Sequence, residues 1–289
     1  MTLAVSTYAE EVSSPASTQA QKGQIFRALH HGTSAFIIPN PWDVGTARLL
    51  THLGFSALAT TSAGFAFSLG QPDNTMSREQ MLAHVSAIVS ATGLPVSADL
   101  ENGYGDSPEA CAETIRIAAQ TGLVGASIED FTTHPSQPLY EISHAADRIR
   151  AAAEAAHALP FPFTLTARAE NFLVGKPDLK DAIARLQAYQ EAGADVLYAP
   201  GLTSHEDIAA VVSSVRLPVN VIMGLQGLQM TLAELSALGV KRVSVGSALS
   251  RAALGAFLRA AGEMRQHGTF QFAQEAANYR ELNDLFKKI

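Results

Sequence analysis

Short apolar runs alternate with longer amphipathic stretches along almost the whole chain. The apolar runs cover 35–38, 55–60, 95–99, 125–130, 163–168, 195–199, 218–223 and 241–245. They show no polar alternation, which is the pattern of strands covered on both faces. The stretches between them repeat their apolar positions at helical spacing. This predicts helices over 44–53, 78–91, 108–121, 143–158, 178–192, 205–214, 231–238 and 248–267, with one more at each end, 19–30 and 272–286. Local punctuation supports the boundaries. Asp43 and Ser77 are N-caps, and Gln80 completes a capping box with Ser77. Pro108 stands at a first helical position, and Gly54, Gly93, Gly122, Gly193 and Gly239 follow helix ends. Residues 61–64 are small and lead into a long loop through 74.

Strand followed by helix, eight times, predicts a parallel sheet, and eight such units in one chain predict a closed (β/α)8 TIM-type barrel. The alternative is an open, doubly wound sheet. That fold carries a Gly-rich phosphate fingerprint after its first strand. Here the turn reads Pro39-Asn40-Pro41-Trp42-Asp43, with no such fingerprint. The expected organisation is a flexible tail over 1–18 and one barrel domain over 19–289 with a C-terminal helical extension.

Composition narrows the partners. Hydrophobic residues make up 47% of the 289 and charged residues 16%, enough apolar material to fill a large core. The net charge of −7 argues against nucleic acid and anionic membranes, which select basic surfaces. No run of about 18 apolar residues predicts a membrane span. Residues 1–20 lack the basic start and apolar core of a secretory signal. The single cysteine, Cys111, excludes an intrachain disulfide and suits a cytoplasmic setting.

Candidate chemistry gathers where a barrel keeps its active site, at the C-terminal ends of the strands. Asp99 and Glu101 end the third strand two positions apart, so both project from one face. Gly103 and Gly105 let the chain turn sharply behind them. Glu129 ends the fourth strand, Arg168 the fifth, and Asn220 lies on the seventh. Asp99, Glu101 and Glu129 together would repel one another unless a cation sits among them, and Mg²⁺ takes such oxygen ligands. The bland reading is a solvated strand end followed by a turn. Arg168 suits a planar carboxylate, gripped bidentately. Its bland reading is a buried ion pair with Glu129 or Glu170. A metal and an arginine facing each other describe a site for a 2-oxo acid and its enolate. Trp42 either walls that pocket or packs in the core or at an interface.

Six ordered motifs carry a family resemblance: Pro39 to Asp43, Thr61 to Gly64, Ser68 to Asp73, Asp99 to Gly105, Ile128 to Asp130, and Ala167-Arg168. Together they resemble the isocitrate lyase / phosphoenolpyruvate mutase superfamily, in its phosphonomutase-like branch. The resemblance implies a barrel whose C-terminal helices are swapped between subunits of a homodimer or homotetramer. It implies Mg²⁺ (or Mn²⁺) and a small anionic 2-oxo acid or phosphonate substrate. A C–C or C–P bond would be made or broken beside the 2-oxo acid through a metal-bound enolate. By the same resemblance Ser62, Ala63 and Gly64 bind the substrate carboxylate, as do Arg168 and Asn220. Asp73 is the acid beside the metal, Asp99 its principal ligand, and Glu101 and Glu129 surround it. Asp73, Arg168 and Glu129 are the expected catalytic set.

The chain departs from the family in the stretch after the fourth strand, Asp130-Phe131-Thr132-Thr133-His134-Pro135-Ser136. The lyases carry a Lys-Lys-Cys-Gly-His type motif there and the mutases a lysine and an asparagine. Neither set is present, and Cys111 falls on a helix. The lyases' glutamate after the sixth strand is also missing from Tyr198-Ala199-Pro200-Gly201. His134 is either an acid–base group or an exposed loop residue. A lyase, hydrolase or mutase is therefore expected, and a barrel that binds metal and carboxylate without catalysis is the alternative.

Overall fold

The computed structural model describes residues 17–225, 227 and 229–288. Of the expected tail, residues 1–16 lie outside the described residues. Thr18 caps the first helix, α1 (Gln19–His30), and forms a capping box with Gln21. Eight strands follow: β1 (Phe36–Ile38), β2 (Leu58–Ala59), β3 (Val96–Asp99), β4 (Gly125–Glu129), β5 (Thr164–Arg168), β6 (Val196–Tyr198), β7 (Val219–Ile222) and β8 (Arg242–Ser244). The helices between and after them are α2 (Val44–His52), α3 (Ser62–Ser68), α4 (Arg78–Ser90), α5 (Pro108–Ala119), α6 (Ile142–His157), α7 (Leu179–Glu191), α8 (His205–Ser214), α9 (Leu232–Ala237), α10 (Ala248–His267) and α11 (Tyr279–Lys288).

All the strand pairs are parallel, in the order β1-β8-β7-β6-β5-β4-β3-β2. The gap between β1 and β2 is closed by other means. Ala59 N–H donates to the Pro39 carbonyl at 3.1 Å. The Asn40 side chain donates to Thr60 O at 3.0 Å and accepts from the Val245 and Gly246 amides, each at 2.9 Å. One amide thus joins the ends of β1, β2 and β8. The sheet is a closed (β/α)8 barrel, and its strand ends share one mouth.

Two elements differ from the sequence expectation. The stretch read as small residues and loop forms α3, because the Thr61 hydroxyl accepts from Gly64 N–H and caps a helix there. The expected helix over 272–286 is broken. Gly268 ends α10 at φ +65, and the Glu263 carboxylate accepts from Thr269 Oγ1 and from the Gln271 and Phe272 amides. The chain makes a short 3₁₀ turn at Gln271–Gln274. Only at Asn278, which accepts from the Arg280 and Glu281 amides, does α11 begin. No described helix is long and apolar enough to cross a membrane.

α1 covers the N-terminal ends of the strands. Phe26 lies so close to Gly125, the first residue of β4, that a Cβ there would stand 2.7 Å from the ring. His30 reaches Arg242, the first residue of β8. The His30 ring meets the Phe26 carbonyl through Nδ1 at 2.8 Å. A carbonyl only accepts, so Nδ1 carries the proton and Nε2 offers its lone pair to Arg242 Nη1 at 3.4 Å. Burial, and then the Arg242 charge, push His30 from its ordinary 6.5 to about 3. The fold keeps this ring neutral, whereas the unfolded chain protonates it near 6.5. Between those values the unfolded state binds more protons, so this group lowers stability as pH falls through that window. Urea unfolding at pH 7 and pH 5 checks it: the His30→Gln variant should lose less stability than the parent on acidification. Equal losses in the two proteins would refute the role given to His30.

Candidate active site

The mouth is built outward from Asp99, the last residue of β3. Its amide donates to Thr60 Oγ1 at 3.0 Å. Its carboxylate Oδ2 accepts from the amide and the hydroxyl of Ser62, at 3.1 and 2.9 Å. α3 therefore presents its first residue to Asp99. Ala63 follows, half-buried, and Gly64 is buried. A Cβ at Gly64 would stand 2.6 Å from Thr61 Cγ2 and 3.0 Å from Trp42 Cβ, so glycine is needed for that approach. Half-buried Trp42 thus packs beside α3.

The chain leaves Asp99 through a strained turn. Glu101 has φ +49, Gly103 φ +82 and Tyr104 φ +59. A left-handed residue other than glycine costs of order 1–3 kcal/mol and persists where its surroundings over-determine it. The turn aims the Glu101 side chain into a closed space. Its Oε1 is buried and has no hydrogen-bond partner. Burial, then Asp99, then Asp73 push this carboxyl up to about 8, against a smaller opposing pull from Arg168. The Tyr104 hydroxyl is buried without a partner too. Burial and the surrounding Glu101, Asp99, Glu129 and Asp73 hold it protonated.

Across the mouth, Arg168 ends β5 and reaches three carboxylates. Nη1 lies 2.8 Å from Asp99 Oδ1 and 3.0 Å from Glu129 Oε2. Nε and Nη2 lie 3.0 and 2.9 Å from Glu170 Oε1. The Tyr198 ring, at the end of β6, stands 5.3 Å from its Cζ. Burial alone would lower the guanidinium pKa, but Glu129, Glu170 and Asp99 outweigh it and keep Arg168 firmly charged. Glu129 is raised well above its ordinary value, by burial first, with Arg168 opposing. Glu170 rises to about 6 for the same reasons.

The structure thus brings together Ser62, Asp99, Glu101, Glu129 and Arg168. Asp73 joins them from an exposed loop: burial of its carboxyl and the Asp99 charge raise it, and Arg168 pulls the other way. Asn220 is tied elsewhere. Its Nδ2 donates to Ser244 Oγ at 3.0 Å, and its Oδ1 accepts from Arg242 Nε at 2.8 Å. His134 sits exposed on a compact hairpin over 131–140, closed by Thr132 N–H donating to Pro138 O at 3.0 Å and Gln137 N–H to His134 O at 3.1 Å.

Among the described residues no three of His, Cys, Asp or Glu stand close enough together to hold a metal ion as they are. The donors nevertheless suit a hard cation in kind. All are carboxylate oxygens, one of them a sealed, unpartnered Glu101 oxygen with its carboxyl raised by burial and then by its acidic neighbours. A donor set of this kind suits a small, hard ion such as Mg²⁺, with Asp99, Glu101 and Glu129 as the acids that would hold it. Sequence reasoning gave no role to Tyr104 or Tyr198 and treated Glu170 only as an ion-pair partner. Glu170 carried a signal, an acid two positions past Arg168 on the same face. Tyr104 stood inside the Asp99 to Gly105 motif and Tyr198 at the end of the sixth strand, but nothing in either stretch marked the side chain itself.

A closed barrel with carboxylates from several strand ends around one guanidinium defines a (β/α)8 protein with its chemistry at the C-terminal mouth. Comparison with known proteins makes this specific. The family described as phosphoenolpyruvate phosphomutase matches residues 26–265. A Burkholderia cenocepacia J2315 structure, assigned no more finely than lyase/mutase, is 63% identical with a TM-score of 0.92, covering 93% of this chain and 97% of that one. Escherichia coli 2-methylisocitrate lyase is 29% identical over 68% of this chain and 68% of its own length. Phosphonopyruvate hydrolase in complex with oxalate and Mg²⁺ is 26% identical with a TM-score of 0.81, covering 92% and 95% of the two chains. The chain belongs to the phosphoenolpyruvate phosphomutase family, within the isocitrate lyase / phosphoenolpyruvate mutase superfamily.

Proposed function

We propose that this protein is a Mg²⁺-dependent enzyme that makes or breaks a C–C or C–P bond beside a 2-oxo acid, through an enolate. The observation that carries this reading is the orphaned Glu101 oxygen, sealed beside Asp99 and Glu129 and opposite Arg168. Mn²⁺ has the same ligand chemistry. A bound cation would polarise the substrate's keto and carboxylate oxygens. The rest falls to the chain's own groups. Ser62 fixes Asp99 through two hydrogen bonds. Arg168 supplies the planar fork that takes a carboxylate bidentately and opposes enolate charge. Asp73 brings a carboxyl from the loop after α3. Ala63, Gly64 and Trp42 line the substrate space in this reading, and Asn220, bonded to Ser244 and Arg242, supports the strands beneath it. The relatives' activities, on 2-methylisocitrate and phosphonopyruvate, support a small anionic substrate.

A second reading, binding without catalysis, is favoured by one observation. Arg168 is fully engaged by acids, and on the 131–140 hairpin His134 is exposed while the Tyr140 hydroxyl is spent on Asp106. A turnover screen separates the two. Oxaloacetate, phosphonopyruvate, 2-methylisocitrate and 2,3-dimethylmalate would each be tested with Mg²⁺ and with EDTA. The enzyme reading expects turnover of at least one, abolished by EDTA. No turnover of any, with Mg²⁺-dependent oxalate binding intact, would establish the second.

We further propose that the protein works in the cytoplasm as a homodimer or homotetramer, its C-terminal helices packing on a second copy. Exposed Leu254, Phe257, Leu258 and Phe270 support that surface. Within the single chain, Ser250 of α10 lies beside Gly64 and Phe286 of α11 beside Gly45.

A further inference from the structure

The turn that carries Glu101 is held from behind by a side chain with no part in the chemistry above. Arg148, on α6, is buried. Its Nη2 donates to the carbonyls of Asn102 and Gly105, the latter at 2.7 Å. Its Nε donates to Asp106 O at 3.0 Å and its Nη1 to Glu129 O at 3.2 Å. Three of the four acceptors lie in the 102–106 turn, and the fourth is the last carbonyl of β4. All are backbone groups, so this guanidinium fixes main chain and not a carboxylate.

A guanidinium is planar and presents five N–H donors at fixed angles. One such group spanning the turn and the end of β4 sets the placement of Glu101 relative to Glu129. Its flat face is covered by the Tyr140 ring, whose centre is 4.1 Å from Cζ. The Tyr140 hydroxyl donates to Asp106 Oδ1 at 2.5 Å. Tyr140 is also the last residue of the 131–140 hairpin, so the hairpin and the acidic turn share this support. The turn needs it, because Glu101 and Tyr104 both hold left-handed backbone. Thr114 Oγ1 donates to Gly103 O at 2.8 Å, Cys111 Sγ to Asn102 O at 3.7 Å, and the His144 ring meets Asp106 O through Nε2 at 2.9 Å, so Arg148 is one of several braces and the guanidinium among them.

We infer that Arg148 is a positioning residue for the acidic half of the site: it holds Glu101 and Glu129 at their working separation and links that separation to the 131–140 hairpin through Tyr140. The inference rests on the reading of Asp99, Glu101 and Glu129 as a cation site. Lysine keeps the charge but donates from a single nitrogen and cannot serve four separated carbonyls. The claim therefore concerns the shape of the group, and shape can be restored from solution.

The test uses the full-length protein and three readouts on the parent, Arg148→Lys and Arg148→Ala. Calorimetry measures oxalate binding in the presence of Mg²⁺. Amide hydrogen exchange measures protection of residues 100–106 without metal. Millimolar guanidinium, with sodium chloride as control, is then added to Arg148→Ala. Removing an outer group that orients metal ligands weakens metal affinity about 10- to 100-fold, and that loss is expected in both variants. Exchange should rise within 100–106 and stay unchanged in β5 to β8. Guanidinium, but not sodium, should restore binding to Arg148→Ala. Parent-like affinity in both variants overturns the inference. So does a loss accompanied by faster exchange throughout the barrel and no guanidinium rescue, since that describes a general support of the fold. If the parent itself binds no oxalate with Mg²⁺, the cation-site reading falls, and exchange alone decides on the clamp: local deprotection of 100–106 upholds it, and unchanged protection overturns it.

Discussion

Asp99→Asn should leave the barrel folded and abolish Mg²⁺-dependent oxalate binding. The substitution preserves shape and a side-chain oxygen able to accept from the Ser62 amide and hydroxyl, so α3 stays docked. It removes the charge. Asp99 is among the causes that raise Glu101 and Asp73, so its neutralisation lowers both carboxyls toward their ordinary values. Arg168 keeps Glu129 and Glu170 as partners. Removing a like charge from a crowded acidic site does not unfold it, and thermal unfolding should show a transition at or near that of the parent. Calorimetry with oxalate and Mg²⁺ should show no heat of binding. Retained binding in Asp99→Asn would sink the assignment of Asp99 as principal ligand, because the fold and the two bonds from Ser62 are conserved while the charge and the bond from Arg168 are lost.

Arg168→Met has the opposite signature. Methionine fills similar space but leaves Asp99, Glu129 and Glu170 facing one another with no cation. Breaking a buried ion pair from one side costs about 3–5 kcal/mol, because the remaining charges stay buried and unpaired. Here Glu129 and Glu170 lose the group that opposes their rise, and Asp99 loses its ion pair. The apo protein should therefore lose that order of stability in urea unfolding at neutral pH. Part of the loss should return on addition of Mg²⁺, since a bound cation stabilises the folded state by linkage. Oxalate affinity should remain low even with Mg²⁺, for lack of the planar fork. A variant as stable as the parent would mean that Arg168 is not the charge that holds the acids together. Full oxalate affinity would mean that it does not grip the substrate.

The two variants divide the site into a half that attracts a cation and a half that resembles one. Arg168 Nη1 bridges Asp99 and Glu129. Both readings of Arg168 in the sequence, carboxylate grip and buried ion pair, thus describe the same side chain. The ion pair is the observed arrangement, and the grip is the proposed role once a cation takes over part of the acids' charge.

Eight strand–helix units were legible because their signals are local. Apolar runs, caps such as Ser77 with Gln80, and glycines at helix ends each act within a few residues. The barrel mouth was legible for the same reason: Asp99, Glu129 and Arg168 are final residues of their strands. What local pattern does not carry is the partner of a side chain. Arg148 falls among Ala145, Ile149 and Ala152 on the buried stripe of α6, a cation on an apolar face. That placement was visible in the sequence, but its four carbonyl acceptors are 19 to 46 residues away. Asn220 shows the same limit. It lies on the expected strand, yet its amide is spent on Ser244 and Arg242. The missed α3 has another cause. Its small residues give a weak helical pattern, and the deciding interaction is one threonine cap. The left-handed backbone of Glu101 also has no residue signature, since such positions usually fall to glycine or asparagine.

The central claim is that the mouth of this barrel binds a 2-oxo acid's enolate through a divalent cation held by Asp99, Glu101 and Glu129. Oxalate mimics that enolate, and its calorimetric titration into the parent protein, with EDTA and then with Mg²⁺, is the most direct test. The expected result is binding with Mg²⁺ and none with EDTA. Equal affinity under both conditions, or no binding under either, would contradict the claim.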